Sequence, residues 1–324
     1  MRKNACVVLV ACAFSVILSN SLLSAEQYPA RPITSIVPFE AGGSTDIVVR
    51  AMGSTISQFL GQPFVTSNKP GGGGTVGVYE VVKAKPDGYA LVSCGATVVM
   101  PELYTQFRKD PPFTFKDVAP VAGWTANIIV IAVRKDAPWN TMKEFMEAAK
   151  NTELKTGSPG SPSLDYILQL ALAKKYNAKL KNIPFKGNAD SITALLGGHI
   201  DMATMIVGSA KPHVEAGTLK LLAVVFEERI ALFPQVPTMA EQGYDVGISS
   251  FALGTFVRAN TPVDRIKVLS EAIKKVANEK SFQSMMEKYG MPVIYSDTEK
   301  FRKNLDTKKA STALTFQDLG FLPK

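Results

Sequence analysis

Histidine and cysteine are scarce in this 324-residue chain, which has two of the first and three of the second. His199 follows Gly197-Gly198 and His213 follows Pro212, and neither stands in a metal-binding spacing. Cys6 and Cys12 fall in an apolar N-terminal segment, so Cys94 is alone in the rest of the chain. No intrachain disulfide and no cysteine-rich metal site can be built from it. Cys94 closes an apolar run, where a buried inert thiol is expected rather than a nucleophile. A G-x-S-x-G elbow and a phosphate loop ending Gly-Lys-Ser/Thr are both missing. The net charge is +8, yet no block of Lys and Arg forms a nucleic-acid footprint. These gaps weigh against catalysis, and no metal, cofactor or nucleic acid is expected as a partner.

Material for folding is ample. Hydrophobic residues are 46% and charged residues 20%, which suits one two-lobed protein or two domains with sizeable cores. The chain opens with Arg2 and Lys3, an apolar run over 5–18, and Leu23-Ser24-Ala25. This is the layout of a secretory signal peptide spanning 1–25, and it predicts a periplasmic mature protein. An uncleaved anchor, or a lipoprotein box at Leu9-Val10-Ala11-Cys12, are the alternatives. No later apolar run is long enough for a membrane span. The basic excess that remains suits anionic solutes and equally suits simple solubility.

Short β-branched runs alternate with helical patterns. Strands are predicted over 33–37, 64–66, 90–94, 128–133, 154–156, 200–206, 219–225 and 251–257. Helices are predicted over 45–60, 76–83, 142–149, 163–175, 191–196, 262–278, 281–289 and 298–309. In the first helix Val48, Met52, Ile56 and Phe59 share a stripe and Gly61 is the stop signal. This rhythm predicts an α/β fold with largely parallel sheets and no internal sequence repeat. It divides into two lobes, residues 26–127 with 251–324 and residues 128–250.

Two stretches join a strand to a helix with the chemistry of an anion site. The first is Pro38-Phe39-Glu40-Ala41-Gly42-Gly43-Ser44-Thr45-Asp46. Glycines admit close backbone approach, a helix start offers N–H donors, and Ser44 is the expected cap. Asp46 falls in the first turn with Arg50 four residues on; an ordinary capped helix with an Asp46–Arg50 pair explains the stretch as well. The second is Gly157-Ser158-Pro159-Gly160-Ser161-Pro162-Ser163, where Ser161-Pro162 reads as a cap and first turn. A third run, 68–77, contains a formal G-x-G-x-x-G, but it does not leave a buried strand directly. No acid follows about twenty positions on, so dinucleotide binding is not expected.

Taken in order, the motifs resemble the tripartite tricarboxylate transporter substrate-binding family, also called the Bug receptors. Those motifs are Tyr28-Pro29-Ala30-Arg31-Pro32-Ile33, the 38–46 loop with Arg50, and Asn68-Lys69-Pro70-Gly71. Further along come Pro86-Asp87-Gly88-Tyr89, Ile183-Pro184-Phe185-Lys186-Gly187, 195–201, Pro234-Gln235-Val236-Pro237-Thr238 and Glu241-Gln242-Gly243-Tyr244. The resemblance implies a two-lobed periplasmic-binding-protein fold of Venus-flytrap type II with two crossover segments. It also implies a monomer that holds a small carboxylate in its cleft and delivers it to a large and a small membrane subunit. Carried over by position, Phe39, Gly42, Gly43, Ser44, Thr45 and Asp46 face the ligand from one lobe. Ser158, Ser161 and Ser163 face it from the other, and Thr97, Lys186 and Asp201 complete the cleft. Gly72, Ala90 and Phe251 depart from the family pattern. So does Ser163-Leu164-Asp165-Tyr166, where a histidine is common, and this puts the ligand preference of the second lobe in question. A sensor for a signalling partner and an enzyme on the same fold are the alternatives.

Overall fold

The computed structural model describes residues 27–104, 110–160, 163–248 and 250–322. The signal-peptide reading and Ser161 lie outside the described residues. The first group of elements is β1 (Ile33–Val37), α1 (Ser44–Leu60), β2 (Phe64–Asn68), α2 (Thr75–Lys83), β3 (Ala90–Gly95) and β4 (Val118–Ala126). The second is β5 (Ile129–Arg134), α3 (Met142–Asn151), β6 (Leu154–Pro159), α4 (Leu164–Lys175), β7 (Leu180–Phe185), α5 (Asn188–Leu196), β8 (Met202–Ile206), α6 (Val207–Glu215) and β9 (Leu219–Val225). The last is β10 (Ala252–Arg258), α7 (Val263–Ala277), α8 (Lys280–Lys288), β11 (Val293–Ser296) and α9 (Thr298–Asp318).

The strands form two sheets, ordered β11-β4-β10-β3-β1-β2 and β7-β6-β8-β5-β9. The chain passes from the first to the second between Ala126 and Ile129 and returns between Val225 and Ala252. The sheets are mixed rather than largely parallel. β1 runs parallel to β2 and β3, and β6 runs parallel to β7 and β8. β10 is antiparallel to β3 and β4, and β5 is antiparallel to β8 and β9. The reason is topological. The parallel strands end where the sheets face each other, whereas β5 and β10 begin there, having just crossed from the other sheet. They can only run away from the junction.

Local chemistry accounts for the helices that the periodicity predicts. Val48, Met52, Ile56 and Leu60 of α1 are buried against Ile33, Val37 and Leu253, and Phe59 is half-buried at the edge of the stripe. Gly61 closes the helix in the left-handed region at φ 66°, where a side chain is disfavoured. Elements that the periodicity misses have weak patterns. All but one residue of β4 are buried, so it shows no alternation, and it contains Pro120 and Gly123. β7 and β11 are edge strands, and α6 carries Pro212 in its interior. Cys94 is fully buried in β3, and burial pushes its thiol well above the ordinary range. Among the described residues no helix is long and apolar enough to cross a membrane.

Candidate functional site

A cavity of about 260 Å³ lies where the two sheets face each other. The segments leaving β1 (39–45), β3 (Gly95, Thr97, Val98), β6 (Pro159, Ser163 to Asp165) and β7 (Gly187 to Asp190) form its wall. Ile206 at the end of β8, Ile129 at the start of β5, Gly73 and Thr75 at the start of α2, Pro101, and Asn127 and Phe251 on the crossovers complete it. In open α/β sheets the carboxyl ends of neighbouring parallel strands with diverging helices form the usual binding crevice. Here two such ends oppose each other.

Four helices begin in this wall. α1 starts at Ser44 behind Gly43, α2 at Thr75 behind Gly74, α4 at Leu164 behind Ser163, and α5 at Asn188 behind Gly187. The first turn of any helix has N–H groups without intrahelical acceptors and carries the positive end of the dipole. At α1, α2 and α5 the capping position is glycine, which makes no side-chain cap; at α2 the preceding turn already takes the Thr75 N–H on the Gly72 carbonyl and the Val76 N–H on the Gly71 carbonyl. Only α4 has a side-chain cap, Ser163 Oγ accepting from the Tyr166 N–H at 3.1 Å. The cap expected at Ser161-Pro162 therefore sits at Ser163. The glycine run before α2 serves packing. Gly71 to Gly74 all have positive φ, and a Cβ on Gly74 would come within 2.6 Å of Val98.

Phe39, Gly42, Gly43, Ser44, Thr45, Thr97 and Ser163 come together in the wall. The remaining described candidates, Asp46, Ser158, Lys186 and Asp201, are not in it. Ser44 does not cap α1; it is the first helical residue, and its Oγ lies 3.1 Å from Ser209 Oγ of α6, across the junction. Asp46 lies behind the loop. Its carboxylate accepts from the Gly42 N–H at 2.9 Å, Arg50 Nε at 3.0 Å and Asn68 Nδ2 at 2.8 Å. Burial acts most strongly on it and acts upward, but the hydrogen bonds from Arg50, Gly42 and Asn68 together outweigh it and hold the carboxyl below its usual range. Asp46 thus shapes the loop.

Ser158 is buried under α4, where its Oγ donates to Asn182 Oδ1 at 3.2 Å. That asparagine joins Gln169, which in turn donates to the Gly157 carbonyl and Thr204. Lys186 is exposed and outside the wall, although the next residue, Gly187, is in it. Asp201 precedes β8 and accepts from the Lys155 N–H at 2.8 Å. It therefore sits at the opposite end of the sheet from the cavity, because β6 and β8 enter there and only their far ends reach the wall.

The sequence reading missed Glu40, Thr75, Asn127, Asp165, Asn188 and Asp190 among the polar residues of the wall. Asn127, Asp165 and Asn188 each have a buried side-chain oxygen, Oδ1, without a hydrogen-bond partner. Asp165 had one signal, its place in the first turn of a helix behind a Ser-rich loop. The two asparagines had none, since nothing local marks them. Desolvation pushes the Asp165 carboxyl up to about 6, with the Thr204 hydroxyl pulling weakly the other way. The acids in the wall are Glu40, Asp165 and Asp190, and among its described residues there is no Lys, Arg or His. Among all described residues no group of three or more His, Cys, Asp or Glu is placed to hold a metal.

Comparison with known proteins agrees with this architecture. Residues 48–320 match the model of the tripartite tricarboxylate transporter family receptor. A Cupriavidus necator protein encoded in the gbd 5′ region is 33% identical over 279 residues, 86% of this chain and 84% of its own. A solved periplasmic transporter is 29% identical with a TM-score of 0.83, covering 90% of this chain and 97% of that one. The periplasmic binding protein BugD is 27% identical with a TM-score of 0.82, covering 91% and 99%.

Proposed function

The chain belongs to the tripartite tricarboxylate transporter receptor family, a family of receptors rather than enzymes, and from that premise we propose that it captures a small carboxylate between two closing lobes. The lobes are residues 26–127 with 251–324, and residues 128–250. The loaded protein, a monomer in the periplasm after cleavage of a signal peptide near Ala25, then presents the solute to a large and a small membrane subunit. The observation that carries this reading is the convergence of four helix starts on one cavity, with α1 and α5 entered through a glycine that makes no side-chain cap. Such starts supply N–H donors and positive potential to a carboxylate without a full countercharge.

The test is a thermal-shift screen of carboxylates against their neutral amides. A carboxylate should raise the melting temperature by mass action and its amide should not. Gly187→Val should weaken binding of the best solute by roughly ten- to a hundredfold, the usual consequence of losing donors to a charged group. The fold should survive, because Gly187 has an extended backbone at φ −171° and a Cβ there meets nothing within 4 Å. If no carboxylate shifted the melting temperature, the proposal would fail. For delivery, a strain lacking the gene should lose uptake of that solute.

A further inference from the structure

The two lobes proposed above touch along a seam beside the cavity. The first turn of α6 packs against the start of α1 and against the turn that joins α8 to β11. Gly208, the second residue of α6, is the point of closest approach. A Cβ placed on it would stand 2.9 Å from the Tyr289 carbonyl oxygen and 3.8 Å from Ser44 Cβ. The first contact is too short for a real side chain, and a backbone oxygen has no rotamer by which to retreat. Beside it, Gly290 packs on Leu232 and Val207. Gly208 lies within the helix and does not have a positive φ, so close approach rather than backbone conformation accounts for a glycine there. In any helix not so crowded, alanine would be the better residue.

Ser209, the next residue, ties this seam to the cavity wall. Its Oγ lies 3.1 Å from Ser44 Oγ at the start of α1, and it accepts from Asn188 Nδ2 at the start of α5 at 3.4 Å. α1 and α5 both begin in the wall without a side-chain cap, one in each lobe. The depth to which α6 seats against α1 therefore sets how near these two starts come to each other. The seam also lies close to the crossovers, where the Val207 N–H donates to the Ile128 carbonyl at 2.9 Å. A wedge near a pivot opens the far side of a cleft by more than its own thickness.

We propose, resting on the receptor reading above, that Gly208 is the stop that sets how far the lobes close. It is a positioning residue that governs solute affinity without touching the solute. The seam forms fully only in the closed, loaded protein. An added Cβ then acts against the loaded form alone, and its whole cost is lost from the affinity.

The test compares the full mature wild type with Gly208→Ala, using whichever of succinate, glutarate, citrate and benzoate stabilises the wild type most. Gly208→Ala should bind that acid roughly fivefold or more weakly, through faster dissociation at an unchanged association rate. Its solute-free melting temperature should rise, because alanine is the better helix former once the seam is parted. Small-angle scattering at saturation should show less contraction than in the wild type, and Gly208→Val should weaken binding further. Unchanged affinity in Gly208→Ala would overturn the inference and leave the carboxylate receptor standing. A lowered solute-free melting temperature would overturn it too, since the contact would then belong to the fold in every state rather than to closure. If none of the four acids bound the wild type, both readings would fall.

Discussion

Asp165 illustrates how one buried residue makes stability depend on pH. An unfolded aspartate titrates near about 3.9, whereas burial holds this one at about 6. The folded protein therefore binds more protons than the unfolded chain between those values. The unfavourable contribution is fully present above pH 6 and is relieved as pH falls toward 4, so stability from this group rises on acidification. The size is on the order of 2–3 kcal/mol. Chemical denaturation of solute-free protein should show wild type gaining stability relative to Asp165→Asn between pH 7.5 and pH 5. A constant difference across that range would show that the carboxylate is not desolvated. Asp46, also buried, is the opposite case, because Arg50, Asn68 and the Gly42 N–H have already matched its charge. The first-turn acid in the 38–46 loop was legible in the sequence, and so was its Arg50 partner. That Asp165 is buried with an unpaired oxygen was not, because burial of a first-turn residue depends on what a distant segment lays over it.

At the scale of elements, the paired strands β4 and β10 show why some of the fold escaped the sequence. Gly123 and Gly254 stand opposite each other in that ladder. Together they form a trough for the ring of Phe301 in α9, which is 1% exposed. A Cβ on Gly254 would run into that ring and come within 2.8 Å of the Ala122 carbonyl oxygen. Gly254→Ala should therefore cost about 1–3 kcal/mol through overpacking, read as a lowered denaturation midpoint with unchanged slope. A neutral substitution would mean that α9 can slide away. Glycine and proline within β4 read as breakers until the partner that needs them is known. α1 and β1, by contrast, show their periods plainly, because one face of each rests on a core and the pattern is complete within the element.

Across the whole molecule, the two sheets share one order. In each, a central strand flanked by two parallel neighbours is followed by an antiparallel strand from a crossover and then a further strand. The sequence shows no repeat, so this likeness lies in topology alone. The crossovers are tied together. Asn127 N–H donates to the Phe251 carbonyl at 3.0 Å, and Ser250 Oγ accepts from the Ile129 N–H at 3.0 Å while donating to the Val225 carbonyl. A paired hinge of this kind lets two lobes rotate about one axis without unfolding. Small-angle scattering should show a smaller radius of gyration once the best solute saturates the protein, and at a hundred times its Kd the solute should add about 2.7 kcal/mol of stability. Saturation without contraction would argue against lobe closure.

The sequence by itself determined the α/β rhythm, the glycine-rich helix starts and the family, because each is written in residues close together along the chain. A helix start is a local device, and a cap, a glycine and a first-turn acid are enough to mark it. Only the tertiary structure decided that four such starts meet in one cavity, that β5 and β10 run against their neighbours, and that Ser158, Lys186 and Asp201 stand outside the wall. It alone placed Asn127, Asp165 and Asn188 inside that wall. The physical reason is that strand order and the facing of two sheets arise from contacts between segments tens to hundreds of residues apart, on which local periodicity carries no information.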